Sequence, residues 1–267
     1  MFSSDDLARI QAHPWLGKVF YQPQVDSTND WARRFLDDGL SESQLEIARP
    51  VLFLAGDQTA GRGQRDRRWW SSPGSLTATW VLSSATPHPP ELPLATGWSI
   101  VRSIQNMFPE LVPAIKWPND VYLDDKKLAG VLCESVAARS HHFVLIGIGC
   151  NVNTNLSAAP LPLRERVISL ADQLGQPIDL TSFLWELLDR LQESLDRLAQ
   201  DPIALIDQCQ SVMLWPLGER LKIERVGEPP LWGEFRGLGD RGELRIDVGG
   251  EERRIRSARK IEPMRDS

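Results

Sequence analysis

The segment at positions 26–30 carries hydroxyl and amide side chains that could bind a polar ligand. It reads Asp-Ser-Thr-Asn-Asp and precedes an amphipathic run with helical spacing. The simplest interpretation is a helix N-terminus capped by Ser27. The start of a helix also presents unpaired backbone N–H groups, which can bind a polar or anionic group. Ser27, Thr28 and Asn29 are therefore candidate ligand contacts.

A glycine- and arginine-rich loop at positions 56–70 follows an apolar run at 51–55. Glycines flank Arg62, and three further arginines stand at 65, 67 and 68. Glycine lets a backbone lie close to a ligand, and ligand sites favour loops of this kind. The Lys-Ser/Thr ending of a Walker A phosphate loop is missing. The alternatives are a solvated basic loop and a patch for the nucleic-acid backbone.

Two lysines and an aspartate belong to a third segment. Lys116-Trp117-Pro118-Asn119-Asp120 is followed by an apolar stretch containing Lys127, and Asp124-Asp125 between them predicts a turn between two strands. Lys116, Asp120 and Lys127 would then meet on one strand pair. A carboxylate beside two lysines suits Mg²⁺-nucleotide chemistry, in which the carboxylate holds the metal and the lysines face phosphate. The alternative is a surface hairpin with a salt bridge.

The fourth segment, Gly147-Ile148-Gly149-Cys150-Asn151, closes an apolar run at 143–148. It lacks the third glycine of a dinucleotide-binding fingerprint, and no helical pattern follows it directly, so we reject that interpretation. A strand end with alternating glycines can still lie flat against a ligand.

The surrounding pattern supplies the elements that would position these segments. Buried strands are predicted at 51–55, 76–82 and 143–148. Amphipathic helices are predicted at 94–108 and 184–198, the second with Thr181 as its N-cap.

A change of pattern at Trp215-Pro216-Leu217-Gly218 predicts a domain boundary. After it, short alternating strands are separated by glycine turns, which is typical of a small β-barrel. We therefore expect an α+β fold with a large domain over residues 1–213 and a small β domain over 214–267.

The composition excludes several classes of protein. The chain has 267 residues, 30 basic and 36 acidic, with a net charge of -6, whereas proteins that coat nucleic acid are usually basic. No uncharged apolar stretch of ~18 residues predicts a membrane span, and the N-terminus has no secretory signal pattern. The three cysteines and four histidines lack disulfide or metal-ligand spacing. We expect a cytoplasmic protein with reduced thiols, and histidines in loops or at the surface.

Taken together, the four segments resemble those of biotin–protein ligases. That family has a DSTN-like helix start, a Q-x-A-G-R-G loop, a K-W-P-N-D block before a K-L-A-G-I/V-L strand, and a G-x-G-x-N turn. All four occur here in the same order within residues 26–153. The resemblance implies a mixed-sheet catalytic domain of the biotin/lipoate ligase type, followed by a small SH3-like β-barrel.

The resemblance also implies a reaction and its participants. ATP would activate biotin as biotinyl-5′-AMP with release of diphosphate. Biotin would then pass to a specific lysine of a biotin carboxyl carrier protein domain, with release of AMP. ATP and Mg²⁺ would be co-substrate and metal, and no permanently bound cofactor is expected. The protein would be a monomer or a homodimer.

The family pattern implies a role for each candidate residue. Those near biotin would be Ser27, Thr28, Asn29, Gln58, Arg62, Gly63, Gln64, Lys127, Gly130, Gly147 and Gly149. Those on the nucleotide side would be Lys116, Asp120 and Asn151, with Asp120 as the candidate Mg²⁺ ligand. The loop that orders over the adenylate would contain Arg62, Gly63 and Gln64. Catalysis would depend on Lys127, Arg62, Lys116 and Asp120.

The sequence departs from the family pattern in the loop and before the first segment. Gln64 stands where many relatives have arginine, and Asp66 where they have glycine, so retention of the adenylate would differ. Repressor-type relatives carry a helix-turn-helix domain before the DSTN segment. Only 25 residues precede Asp26 here, so we expect no specific DNA binding.

Two other functions share this pattern. Lipoate–protein ligases have the same fold and chemistry, but the K-W-P-N-D and G-R-G-Q segments favour biotin. A non-catalytic biotin sensor would have the same pocket, but intact Lys127, Asp120 and Arg62 favour an enzyme.

Overall fold

A seven-stranded mixed sheet forms the centre of the protein. The structure is a computed structural model that describes residues 2–37, 47–65 and 67–264. Within these residues the strands lie in the order β1-β2-β3-β7-β6-β5-β4, with only β1 and β2 parallel. Their bounds are β1 Lys18–Gln22, β2 Val51–Ala55, β3 Leu76–Ser84, β4 Ala114–Lys116, β5 Asp120–Leu123, β6 Lys126–Ala138 and β7 His141–Cys150.

Helices cover both faces of this sheet. The α-helices of the described chain are α1 Ser4–Gln11, α2 Thr28–Asp37, α3 Leu92–Met107, α4 Leu161–Arg164, α5 Leu170–Leu174, α6 Leu180–Gln200 and α7 Pro202–Ser211, with a 3₁₀ turn at Leu156–Ala158. None of the described helices is long and apolar enough to cross a membrane.

Strand β2 shows why its sequence is a continuous apolar run. Leu52 and Leu54 belong to the core that contains α3 and α6, whereas Val51 and Phe53 pack with α2 on the opposite face. Successive side chains of a strand point to opposite faces, so a strand covered on both sides is apolar throughout. The strands predicted at 51–55, 76–82 and 143–148 are confirmed, as are the two long helices.

The predicted turn between β5 and β6 is also confirmed. Asp124 and Asp125 have φ values of 48° and 59°, in the left-handed region that aspartate tolerates better than most residues. Two successive left-handed residues give the tight hairpin turn whose twist matches the flanking strands. This turn pairs Tyr122 with Lys127 and so brings both ends of the third segment together.

One local prediction is wrong. Asp179, not Thr181, caps α6: its carboxylate accepts the Thr181 N–H at 3.0 Å, while the Thr181 hydroxyl donates to Asp6 at 2.8 Å. His13 lies in the loop after α1, as expected, but its side chain is buried. Its Nε2 lies 3.1 Å from Asp189 Oδ1, and its Nδ1 accepts the Trp15 N–H. Partners on α6, distant in sequence, allow this imidazole to be buried.

A second sheet lies at the C-terminal end of the chain. Its five antiparallel strands have the order β11-β10-β9-β8-β12 in the described residues. They are β8 Arg220–Glu224, β9 Leu231–Leu238, β10 Leu244–Val248, β11 Glu251–Ile255 and β12 Lys260–Pro263. The expected boundary between 213 and 214 falls between α7 and β8. The predicted α+β fold, with a mixed sheet and a separate C-terminal sheet, is confirmed.

Specific contacts join the second sheet to the first unit. The Trp117 indole N–H donates to the Gly242 carbonyl at 2.8 Å, and the Leu238 N–H donates to Gln210 Oε1 at 2.7 Å. Buried residues of both units, including Leu94 and Phe235, belong to one continuous apolar core. The K-W-P-N-D block is therefore held directly by the C-terminal sheet.

The Trp117–Gly242 hydrogen bond should contribute measurably to stability. Trp117→Phe leaves the Gly242 carbonyl unpaired, which should lower the free energy of unfolding by about 1–3 kcal/mol, and the lost indole volume adds to this. The control is Trp232→Phe, because Trp232 is 49% exposed and its substitution should cost less than about 0.5 kcal/mol. Denaturant unfolding measures both, and equal stabilities for the two variants would contradict the role of this bond.

Candidate active site

One cavity of about 210 Å³ collects almost all the candidate residues. It lies between the start of α2, the glycine- and arginine-rich loop, the strands β5, β6 and β7, and the C-terminal segment 258–261. The candidate residues on its lining are Ser27, Thr28, Asn29, Gln58, Arg62, Gly63, Gln64, Lys116, Asp120, Lys127, Gly130, Gly147 and Gly149. Segments far apart in sequence therefore form one site.

Asn151 is the candidate that the structure does not bring to the cavity. Its side chain is buried, and its Oδ1 accepts a hydrogen bond of 3.4 Å from the Thr154 hydroxyl. Its backbone N–H donates to the Leu128 carbonyl at 2.9 Å, and its carbonyl accepts from Leu170. Asn151 thus closes the end of β7 against neighbouring segments, and the nucleotide role predicted for it has no geometric support.

The start of α2 forms a polar end of the cavity. Gln58 Oε1 accepts the Thr28 N–H at 2.7 Å and the Thr28 hydroxyl at 3.1 Å, so it satisfies a free donor of the helix start. The Thr79 hydroxyl donates to Asn29 Oδ1 at 2.6 Å and lies 2.9 Å from Thr28 Oγ1. Thr79 was not among the residues predicted from the sequence, although a fully buried threonine in a strand needs a polar partner.

Gly147 and Gly149 of β7 form the floor of the cavity, and side chains of other segments lie directly against them. A Cβ atom at Gly147 would lie 2.1 Å from Asn29 Oδ1, and one at Gly149 would lie 2.3 Å from Trp69 Cε2. No side chain fits at either position without displacing a site residue. Trp69, for which the sequence contains no separate signal, also lines the cavity, and its buried indole N–H has no partner in the described chain.

Lysines and a tyrosine form the opposite, cationic end. Lys127 Nζ lies 2.6 Å from Asp120 Oδ1 and 5.6 Å from the centre of the Trp69 ring. Lys116 donates to the Tyr122 hydroxyl at 3.3 Å. Burial lowers the pKa of Lys116, against the attraction of Asp120, and burial raises the pKa of Tyr122 to about 12. Tyr122 is therefore a neutral hydrogen-bonding group at physiological pH.

Ion pairs on one side and hydrogen bonds on the other hold the glycine- and arginine-rich loop in place. Arg62 forms ion pairs with Asp30 and Glu134, the second at 2.5 Å. Arg65 and Arg67 donate to the backbone carbonyls of Ala258 and Arg259. This C-terminal part of the lining was not predicted from the sequence, in which only the basic pair at 259–260 pointed to it. Asp66 lies outside the described residues.

The cavity concentrates positive charge in an acidic protein. Among the described residues, eight cationic side chains line it against a single carboxylate, that of Asp120, while the whole chain has a net charge of -6. The cationic residues are Arg62, Arg65, Arg67, Arg68, Lys116, Lys127, Arg259 and Lys260. The described residues contain no group of three or more His, Cys, Asp or Glu side chains that could hold a metal ion. The site therefore suits a large anionic ligand.

The site combines a cationic cavity with a polar hydrogen-bonding pocket, and sequence comparison identifies the family of this chain. The model of the biotin/lipoate A/B protein ligase family matches residues 21–151. The biotin–[acetyl-CoA-carboxylase] ligase of Paracoccus denitrificans is 31% identical over 229 residues, which cover 83% of this chain and 90% of that protein. The chain belongs to the biotin/lipoate A/B protein ligase family.

Further similarity extends to a two-function relative and a solved structure. The bifunctional ligase/repressor BirA of Bacillus spizizenii is 30% identical over 174 residues, 64% of this chain, and the match spans 51% of that longer protein. The biotin protein ligase of Aquifex aeolicus in complex with biotin and ATP has a TM-score of 0.77 at 27% identity. The match covers 93% of this chain and all of that one. The similarity thus includes the C-terminal sheet.

The floor of the cavity should not tolerate a single added methyl group. Gly149→Ala places a Cβ against the Trp69 ring, and such overpacking should cost about 1–3 kcal/mol in the free energy of unfolding. Gly97→Ala in α3 is the control, because the nearest atom to its new Cβ is 3.7 Å away. Denaturant unfolding should find the control at least as stable as the parent, since alanine favours helix. A Gly149→Ala protein as stable as the control would contradict this packing.

Proposed function

We propose that the protein is a biotin–protein ligase, which adenylates biotin with ATP and transfers it to a lysine of a carrier domain. The observation that carries the proposal is the continuity of one cavity from the polar groups of α2 and Gln58 to the cations of β4–β6. A ligand with a neutral polar head and a carboxylate that must meet a triphosphate fits this arrangement. The Aquifex aeolicus structure, which contains biotin and ATP, supports it.

The polar end suits the ureido head of biotin. That ring presents N–H donors and a carbonyl acceptor, and the side chains of Ser27, Thr28, Asn29 and Gln58 line this end of the cavity. Existing bonds between Gln58, Thr28 and Thr79 orient these groups before a ligand arrives. Preorganised partners reduce the entropy lost on binding. Gly147 and Gly149 would let the ligand lie flat on β7.

The cationic end suits the adenylation step. A carboxylate oxygen of biotin would attack the α-phosphorus of ATP, and diphosphate would leave, so two anions must approach each other. Lys127 and Lys116 are fixed cations on paired strands, and Asp120 holds the Lys127 ammonium at 2.6 Å. Charges that are already in position stabilise the developing charge without reorganisation.

The second step needs no covalent bond to the enzyme. The amine of the carrier lysine would attack the acyl carbon of biotinyl-5′-AMP, AMP would leave, and an amide would form. Burial raises the pKa of the thiols of Cys133, Cys150 and Cys209, so they are poor nucleophiles. Direct attack by the carrier lysine is therefore the simplest route.

The glycine- and arginine-rich loop would protect the adenylate, which is a mixed anhydride that water hydrolyses. Arg62, Gly63 and Gln64 line the cavity, and Arg65 and Arg67 hold the loop to the C-terminal segment. Closing a site against water is a general role of such loops. Arg62 has five N–H donors and its carboxylate partners use only some of them, so it can also hold an anion. Gln64 keeps hydrogen-bonding capacity without charge.

Asp120, the one carboxylate that the described residues contribute to the cavity lining, fits Mg²⁺ that arrives with the nucleotide. Mg²⁺ in nucleotide sites is bound mainly by phosphate oxygens and water, with one or two protein carboxylates. Asp120 is the residue that would face it. When bound, the metal would neutralise charge on the phosphates.

We also propose a carrier protein, a location and an oligomeric state for this ligase. The carrier would be a biotin carboxyl carrier protein domain, as the name of the Paracoccus denitrificans relative suggests. The three cysteines are free thiols, which suits the reducing cytoplasm. We propose that the protein acts as a monomer or a homodimer. A lipoate ligase would not need the donors and acceptors of the polar end.

The reaction itself gives the first test. With ATP and Mg²⁺, the protein should exchange labelled diphosphate into ATP when biotin is added and not when lipoate is added, and it should biotinylate a carrier domain. Each acid added alone serves as the control for the other. Exchange supported by lipoate but not by biotin would refute the proposal.

Lys127 and Arg62 should fail in different ways. Lys127→Ala removes a cation fixed by the sheet and should reduce the rate of adenylate formation ~10²–10³-fold, with a smaller loss of biotin affinity. Arg62→Ala frees the loop, so it should weaken ligand binding and let adenylate escape into solution. Single-turnover adenylate formation and free-adenylate release distinguish the two. If both variants lose only biotin affinity, the assigned roles are wrong.

A further inference from the structure

Glu134 is a carboxylate behind the cavity wall that joins three segments of the site. It lies on β6, two residues after the cavity-lining Leu132, and its side chain is only 17% exposed. Its Oε2 accepts from Asn29 Nδ2 at 2.8 Å. Its Oε1 accepts from Arg62 at 2.5 Å and from Arg33 at 3.1 Å. One anion therefore contacts the start of α2 and the glycine- and arginine-rich loop together.

The contact with Asn29 decides how that amide is oriented. A carboxylate can only accept hydrogen bonds, so the NH₂ group of Asn29 must face Glu134. The amide oxygen then faces the Thr79 hydroxyl, which donates to it at 2.6 Å. The Thr79 oxygen lies 2.9 Å from the Thr28 hydroxyl, and Gln58 Oε1 accepts the Thr28 N–H at 2.7 Å. The orientation of the Asn29 amide, and with it the direction in which the Thr79 hydroxyl donates, thus follows from the charge on Glu134.

The contact with Arg62 fixes the loop. Arg62 is held between Glu134 and Asp30, and these are the acidic groups that the structure places within ion-pair distance of its guanidinium. Burial would raise the pKa of Glu134, but hydrogen bonds from Asn29 and Arg62 outweigh it and keep the pKa below its ordinary value. The group is therefore an anion wherever the enzyme would work.

We propose that Glu134 is a positioning residue for biotin specificity and affinity, because it sets the Asn29 amide and anchors Arg62 at the same time. This inference rests on the proposed function, and it assigns a role to a residue that touches no reacting atom. A glutamine at position 134 would have the same shape without the charge. Because Asn29 and Arg62 both donate hydrogen bonds to the carboxylate, the NH₂ group of that glutamine would disturb these contacts. Loss of a charged hydrogen bond of this kind corresponds to about a tenfold to hundredfold loss of affinity.

Calorimetric titration with biotin, without ATP, tests the proposal. Glu134→Gln should bind biotin about tenfold to a hundredfold more weakly, and Glu134→Asp, which keeps the charge, should recover part of the affinity. Arg33→Gln is the matched control: it removes an ion pair from the same carboxylate, but Arg33 is partly exposed and contacts neither Asn29 nor Arg62 through the interactions described. Its biotin affinity should stay within about threefold of wild type.

A double-substitution cycle separates positioning from simple stabilisation. In an Arg62→Gln background, Glu134→Gln should cost clearly less affinity than it costs in the wild type, because part of its effect passes through Arg62. Equal costs in both backgrounds, or unchanged affinity in Glu134→Gln while the wild type binds biotin, would overturn the positioning role. A wild-type protein that binds no biotin would overturn the proposed function, and this inference with it.

Discussion

The close approach of Asn29 and Trp69 to the glycines of β7 is the constraint on which the site depends. Strand β7 lies between β3 and β6, so it is the rigid centre of the sheet. Because Gly147 and Gly149 have no side chains, the start of α2 and the end of the arginine loop can rest directly on the strand. The shape of the cavity therefore depends on two of its walls packing directly against the central strand.

The positive charges of the site impose a second constraint. Cations that must receive anionic ligands repel one another while the site is empty. Asp120 beside Lys127, and Asp30 with Glu134 beside Arg62, offset part of that repulsion. These carboxylates also hold flexible side chains in one geometry, which reduces the entropy that the ligand would otherwise have to supply. Arg65 and Arg67 are held through backbone carbonyls and add positive charge to the cavity.

The C-terminal sheet takes part in the site rather than being a separate appendage. Trp117 of the K-W-P-N-D block donates to Gly242, and the arginine loop donates to the segment after β11. Movement of this sheet would therefore disturb both the cationic end and the loop. A small β unit can in this way hold residues that line the site of a larger domain.

The sequence alone determined the local elements and most of the lining. Some features of the sequence indicate their own local structure: glycines, a cap residue, lysines on a predicted hairpin and continuous apolar runs. Lys116, Asp120, Lys127 and the loop could therefore be identified without a structure. Only the tertiary structure decided what lies between them. Trp69 and the segment 258–261 join the lining, Thr79 and Glu134 hold the lining residue Asn29 from behind, and Asn151 lies outside the cavity. These contacts between residues distant in sequence depend on strand order and register. A side chain's type shows which partner it requires, and the packed sheet determines which partner it meets.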